Sequence, residues 1–300
     1  MSRIDSDTAA PSAGLSDHTR GLIAAGIVVL CWSGFNIVSR AGSTGALTPY
    51  DIAALRFGVS GLLALPFFLR MVPVAEYPRY FALAMVAGVG YSLLAYSGFA
   101  FAPTAHAGVF INGGIPFWTV ILVAVTAGFH LSRRVLIALG TTSAGLLLIA
   151  GKSLGEIGDS DVWKGDVLFL IAALFWAVFG MLGRHWKVPP RSAIVGMAVI
   201  SLVVYMPVYL LWLPKSIATA PFGEIALQAV YQGIVAALLA GAMYTYACQT
   251  IGVYRASMTL AIVPGASAVG AWILLGEALT VTAIAGLALV SVGALLSARR

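Results

Sequence analysis

Leu30-Cys-Trp-Ser-Gly-Phe-Asn-Ile-Val-Ser-Arg40 and Leu174-Phe-Trp-Ala-Val-Phe-Gly-Met-Leu-Gly-Arg184 are two versions of one phrase. Trp32 answers Trp176, Phe35 answers Phe179 and Arg40 answers Arg184, all at one offset. Further along, Tyr96 answers Tyr244, Pro116 answers Pro264, Gly128 answers Gly276 and Gly145 answers Gly293, at a second offset four residues larger. Apolar helices resemble one another by composition, so no single match carries weight. An ordered series running through half of the chain does, and it reads as an internal repeat.

The setting of those phrases decides what is repeated. The chain has 300 residues, of which 60% are hydrophobic and only 9% charged. Its mean hydropathy is +0.97. A soluble domain has about a quarter of its residues charged, so this chain lacks the polar side chains to cover a water-facing surface. Ten apolar stretches of the length that crosses hydrocarbon, roughly 20 residues, fall at 21–39, 52–69, 80–101, 105–127, 135–150, 167–183, 193–213, 225–249, 257–275 and 281–298. Helix breakers stand between or beside them at Pro49, Pro73, Pro103, Pro189, Pro190 and Pro214. The expected fold is an all-α membrane protein of ten transmembrane helices in two inverted five-helix repeats. The expected organisation is a disordered cytoplasmic tail over 1–20, a first repeat over 21–150, an external linker over 151–166 and a second repeat over 167–300. An odd number of spans per repeat forces the two halves to face opposite ways.

Lysine and arginine set the orientation. With the N-terminus inside, the inner segments hold twelve of the 17 basic residues: Arg3, Arg20, Arg70, Arg79, Arg133, Arg134, Arg184, Lys187, Arg191, Arg255, Arg299 and Arg300. The outer segments hold four, Arg40, Lys152, Lys164 and Lys215, and Arg56 lies within the second span. Both termini are therefore predicted to be cytoplasmic, in a multi-pass protein of the inner (plasma) membrane. The net charge of +6 comes from scattered span ends, so no nucleic-acid partner is implied. Cys31 and Cys248 lie inside apolar stretches, without the spacing of a metal site, and read as packing residues. No metal and no cofactor are expected.

Several residue groups point to a solvated centre. Trp32, Phe35, Asn36 and Ser39 share one helix face, and an asparagine at mid-membrane must face protein or water. Trp176 and Phe179 repeat the aromatic part, with Gly180 in place of Asn36. Paired tryptophans could clamp an apolar side chain; helix packing explains them as well. Pro116 and Pro264 each remove one helix hydrogen bond, which frees the carbonyls of Asn112 and Leu260 for other partners. Gly113 and Gly114 loosen the helix beside Asn112. These sites read either as hinges or as tolerated kinks. Tyr91, Tyr96, Tyr244 and Tyr246 offer a hydroxyl on an apolar ring, in a cavity or in the interfacial belt. His106 opens the fourth span, where it can titrate, bind a carboxylate or stand solvated. Arg56 reads as an anchor snorkelling outward, with Asp51 as its packing partner, and Glu277 reads as structural. No carboxylate is expected deep in any span, which leaves a proton relay without a carrier and favours a neutral or zwitterionic solute over a cation.

The phrases at Leu30 and Leu174, together with Leu55-Arg56-Phe57, Pro116, Pro264 and Leu274-Leu275-Gly276-Glu277, resemble the drug/metabolite transporter superfamily, in particular its ten-helix EamA-type members. The resemblance covers about residues 20–300. Within that family it is most similar to bacterial exporters of aromatic and other neutral amino acids. It implies alternating-access export of a small-molecule substrate through a neutral, aromatic-lined cavity. The expected substrate-binding set is Trp32, Phe35, Asn36, Tyr91, Tyr96, His106, Asn112, Trp176, Phe179 and Tyr244, with hinges at Gly113, Pro116 and Pro264. A broad drug, nucleoside or metabolite exporter of the same fold is the alternative, followed by a membrane protein that transports nothing. Enzymatic chemistry is not expected, because neither a His-Glu-x-x-His, a Gly-x-Ser-x-Gly nor a phosphate-loop motif is present.

Overall fold

The computed structural model describes residues 16–127 and 132–298. Among them, nine helices are long and apolar enough to cross a bilayer. They are α1 (Asp17–Ser43), α2 (Pro49–Met71), α3 (Val74–Phe101), α4 (Thr104–Thr126), α5 (Arg133–Gly155), α6 (Val162–His185), α7 (Pro190–Trp212), α8 (Phe222–Ile251) and α9 (Arg255–Leu275). A tenth, α10 (Val281–Ala298), is shorter. Large apolar side chains point outward all round the bundle, among them Leu30, Leu69, Leu147, Leu211 and Val281. Such a surface would aggregate in water and is at home in hydrocarbon.

The helix ends run past the apolar stretches because polar caps extend them. Ser16 caps α1, its hydroxyl accepting from Thr19 N at 3.1 Å, so residues 17–20 are helical and not part of a tail. The segment 1–15 lies outside the described residues. Thr48 and Asp51 form a reciprocal capping box on α2, with Pro49 in its first turn. Ser132 caps α5, which runs on to Gly155, and α6 starts at Val162. The predicted linker over 151–166 therefore shrinks to a loop over 156–161, and Asp166 becomes a helical residue.

Four spans are irregular at mid-membrane. α3 passes through a π-helical segment, Ala84–Gly90, and α8 through another, Tyr231–Leu239. α4 opens into a turn at 111–113, and α9 tightens to a 3-10 turn over Leu260–Ile262. That tightening corrects one expectation. Pro264 cannot donate to Leu260, but Val263 N–H takes the Leu260 carbonyl instead, so that carbonyl is not free.

The helices pack in pairs: α5 with α10, α2 with α7, α4 with α9, α1 with α8, α3 with α6, α1 with α9, and α4 with α6. Exchanging α1–α5 for α6–α10 returns the same set. The α5–α10 seam depends on missing side chains. A Cβ at Gly145 would sit 2.9 Å from the Gly286 carbonyl oxygen, and one at Gly293 would sit 3.0 Å from that of Ala138. Two backbones this close admit no leucine. Gly145→Leu is expected to cost about 1–3 kcal/mol of stability, the usual result of overpacking. It should be visible as a lowered melting temperature of the purified protein in detergent. A wild-type melting curve would show that the seam can part.

Candidate functional site

A cavity of about 850 Å³ lies inside the bundle. Its closed end is marked by Arg56 and Phe35, and its mouth by the exposed Arg184 and His185. The wall at the mouth also takes Pro190 from the start of α7, Ser257 from the start of α9 and Thr126 from the end of α4. In a bundle of alternating spans these all lie at the end where α1 begins. The cavity therefore opens on one side of the membrane only.

Of the expected binding residues, Trp32, Phe35, Asn36, Tyr91, Asn112, Trp176, Phe179 and Tyr244 line this one cavity, with Pro116 and Pro264. The two tryptophans pack on different partners. Trp32 packs on Tyr244 of α8 at 5.6 Å between ring centroids, and Trp176 packs on Tyr91 of α3 at 4.9 Å. Each tryptophan thus meets a tyrosine from the other half of the chain. The amide of Asn36 donates to Ser267 Oγ of α9 at 2.9 Å, and Tyr244 Oη lies 2.9 Å from Ser257 Oγ. These bonds tie α1 and α8 to α9, the helix with the 3-10 turn. Gly180 faces open space, with nothing within 4 Å of an added Cβ.

Three expected residues lie off the wall. Tyr96 is fully buried one layer behind it, donating to Gln232 Oε1 at 3.1 Å. Both tyrosines lie in the regular helical stretch after the π-helical segment, and their spacing of five residues turns them about 140° apart, so Tyr91 reaches the cavity while Tyr96 turns into the protein. His106 pairs with Asp166 across α4 and α6, Nδ1 to Oδ1, at 2.7 Å. Asp166 is buried although it lies near the start of α6, at its fifth residue; the expected linker over 151–166 had left it outside the span. Gly113 is wedged against Val290 of α10, with 2.8 Å for an added Cβ.

Arg56 is the residue whose role sequence reading misjudged most. It does not snorkel outward but is buried, 8% exposed, at the head of the cavity. Asp51 is not its partner. Five residues turn a helix by about 140° past full circle, which aims Asp51 at α7. There its carboxylate accepts from Tyr209 Oη at 2.6 Å and from Ser216 N at 3.0 Å. Among the described residues no aspartate or glutamate lines the cavity, whose charged lining is Arg56 and Arg184, with His185 beside Arg184. The expectation of an uncharged pocket is corrected accordingly: it is cationic.

The opposite end of the bundle is shut by polar contacts. Gly276 ends α9 in the left-handed region, φ 69°, the cap conformation glycine adopts without strain. The reversal carries Glu277 back over the bundle. One of its carboxylate oxygens accepts from Arg40 Nε at 2.8 Å and the other from Thr104 N, at the start of α4, also at 2.8 Å. Arg40 donates in addition to the Phe99 carbonyl of α3. The Glu277–Arg40 pair thus links α1, α3, α4 and the end of α9. Beneath it, Phe99 and Phe169 pack edge to face at 4.9 Å, both fully buried.

Residues 163–299 match the model of the EamA-like transporter family. The chain is 22% identical over 256 residues to "Uncharacterized transporter YyaM" of Bacillus subtilis (strain 168), covering 80% of each. It is 27% identical over 162 residues to an "Uncharacterized transporter" of Archaeoglobus fulgidus, covering 52% of this chain and 55% of the relative. A solved crystal structure shares the fold, with a TM-score of 0.61 at 20% identity over 93% of this chain and 96% of its own. The family match thus falls on the second half of the chain, the relatives it resembles are transporters by their names, and the described residues form a multi-pass bundle of membrane-length helices.

Proposed function

We propose that this protein exports small amino acids, neutral or aromatic, and related metabolites by alternating access between two inverted five-helix halves, with both termini cytoplasmic. The observation that carries the reading is the central cavity, open at one end and latched at the other. Its volume suits a metabolite-sized solute, and its aromatic wall suits an apolar side chain. Supporting the inverted halves are the packing pairs, unchanged when the halves are exchanged, and the irregular mid-membrane segments. Those segments fall in the third and fourth helices of each half. Irregular backbone at that depth is tolerated where it lines a cavity or is buried in protein. With the termini inside, the cavity faces the cytoplasm, ready to load a solute for export.

The test is counterflow of a labelled amino-acid panel in proteoliposomes, with and without an imposed pH gradient. Movement of aromatic or neutral amino acids is the expected result. Movement of nucleosides or cationic drugs with no amino acid would retire the substrate assignment. Asn112→Ala and Tyr244→Phe are expected to lower transport severalfold at unchanged protein yield. Parental rates in both variants would remove these side chains from the binding set.

A further inference from the structure

Arg presents five N–H donors, and the guanidinium of Arg56 uses few of them. Its side-chain hydrogen bond among the described residues goes to Tyr96 Oη at 3.5 Å, the outer limit for such a bond. It stands over the Phe35 ring at 5.7 Å. No ion pair joins it to a carboxylate among the described residues. A buried cation in a membrane protein is costly unless paired or wetted, yet this one is held in place. Tyr96 Oη donates to Gln232, whose amide donates to Ser39 Oγ at 3.1 Å and to Gln228 Oε1 at 3.2 Å. Gln228 in turn donates to the Val38 carbonyl at 2.7 Å. This relay fixes the tyrosine oxygen as an acceptor for Arg56, whose side chain also lines the cavity.

We propose that Arg56 docks a carboxylate of the transported solute, so that the substrate class is carboxylates, zwitterions included, bearing an apolar or aromatic body. This deepens the transport reading and rests on it. A planar fork binds a carboxylate with two parallel bonds, and the rings of Phe35, Tyr91 and Trp176 surround the place where the attached body would lie. Arg184 at the mouth draws anions inward and repels cations. A single buried cation matches one negative charge, which favours a carboxylate over a phosphate dianion.

The experiment is counterflow in proteoliposomes with four probes of similar shape: phenylalanine, 3-phenylpropionate, 3-phenylpropanamide and phenethylamine, with phenyl phosphate as competitor. The wild type should prefer the two carboxylates over the amide and the amine by roughly 10-fold or more, the worth of one charge-assisted hydrogen bond. Arg56→Gln should bring that preference close to one. Arg56→Lys should restore part of it, a pattern that a merely structural role would not give. Tyr96→Phe, which leaves the charge in place, should weaken the preference less than Arg56→Gln. Equal movement of amide and carboxylate in the wild type, or a preference that survives Arg56→Gln, overturns the role of Arg56 and leaves the transport reading standing. So does stronger competition by phenyl phosphate than by the carboxylates. If none of the probes moves in the wild type, both readings fall.

Discussion

Glu277→Ala is expected to unlatch the closed end and expose the cavity from the side that is sealed in this structure. Both carboxylate oxygens of Glu277 are engaged at 2.8 Å, one by Arg40 and one by the first turn of α4. Hydrogen bonds to a charged group contribute about 1.5–3 kcal/mol each. Losing two of them from the closed state shifts a two-state equilibrium by roughly 10²- to 10⁴-fold. A reporter follows from the geometry: Phe35→Cys, at the head of the cavity, in a background with Cys31 and Cys248 replaced by alanine. In right-side-out vesicles a membrane-impermeant maleimide should label it at least 10-fold faster when Glu277 is alanine. Inverted vesicles report the mouth and should change little. Unchanged labelling from the sealed side would mean that the latch holds nothing shut.

Gly180→Trp is expected to abolish transport without disturbing the fold. Nothing lies within 4 Å of a Cβ at Gly180, and the residue lines the cavity, so an indole there fills the path and not a helix interface. Gly114→Leu is the control, because its Cβ would meet the Ala173 methyl at 2.7 Å and should damage folding first. The contrast separates a transport path from an inert void. The readouts are the size-exclusion profile and the counterflow rate. A monodisperse Gly180→Trp protein that transports at the parental rate would exclude the cavity as the route. Its expected loss is at least 10-fold, since a solute held among Trp176, Phe179 and Tyr91 cannot pass a second large ring.

Much of the wall was legible in advance because it obeys one-dimensional rules. Trp32, Phe35 and Asn36 recur at helical spacing, and an asparagine in an apolar stretch can turn only toward protein or water. Trp176 and Phe179 follow from the repeat. Tyr96 and His106 were misplaced for a different reason. Which flank of a helix meets the cavity and which meets protein is set by neighbours far away in the chain, Gln232 for Tyr96 and Asp166 for His106, and that leaves no periodic trace. The partners of polar groups were equally hidden: Asn36 with Ser267, His106 with Asp166, and Arg40 with Glu277 are separated by 60 to 237 residues along the chain.

By itself the sequence determined a helical membrane protein, since apolar length and breaker positions are local properties that no packing can hide. Only the tertiary structure decided which end of the bundle is shut and that the cavity carries positive charge. Both depend on where distant polar groups meet once water is excluded, and the sign of a cavity is the sum of the charges facing it. Arg56 reads as an anchor in one dimension and lies at the head of the cavity in three, because Asp51, its nearest acid in sequence, is turned away and taken by Tyr209.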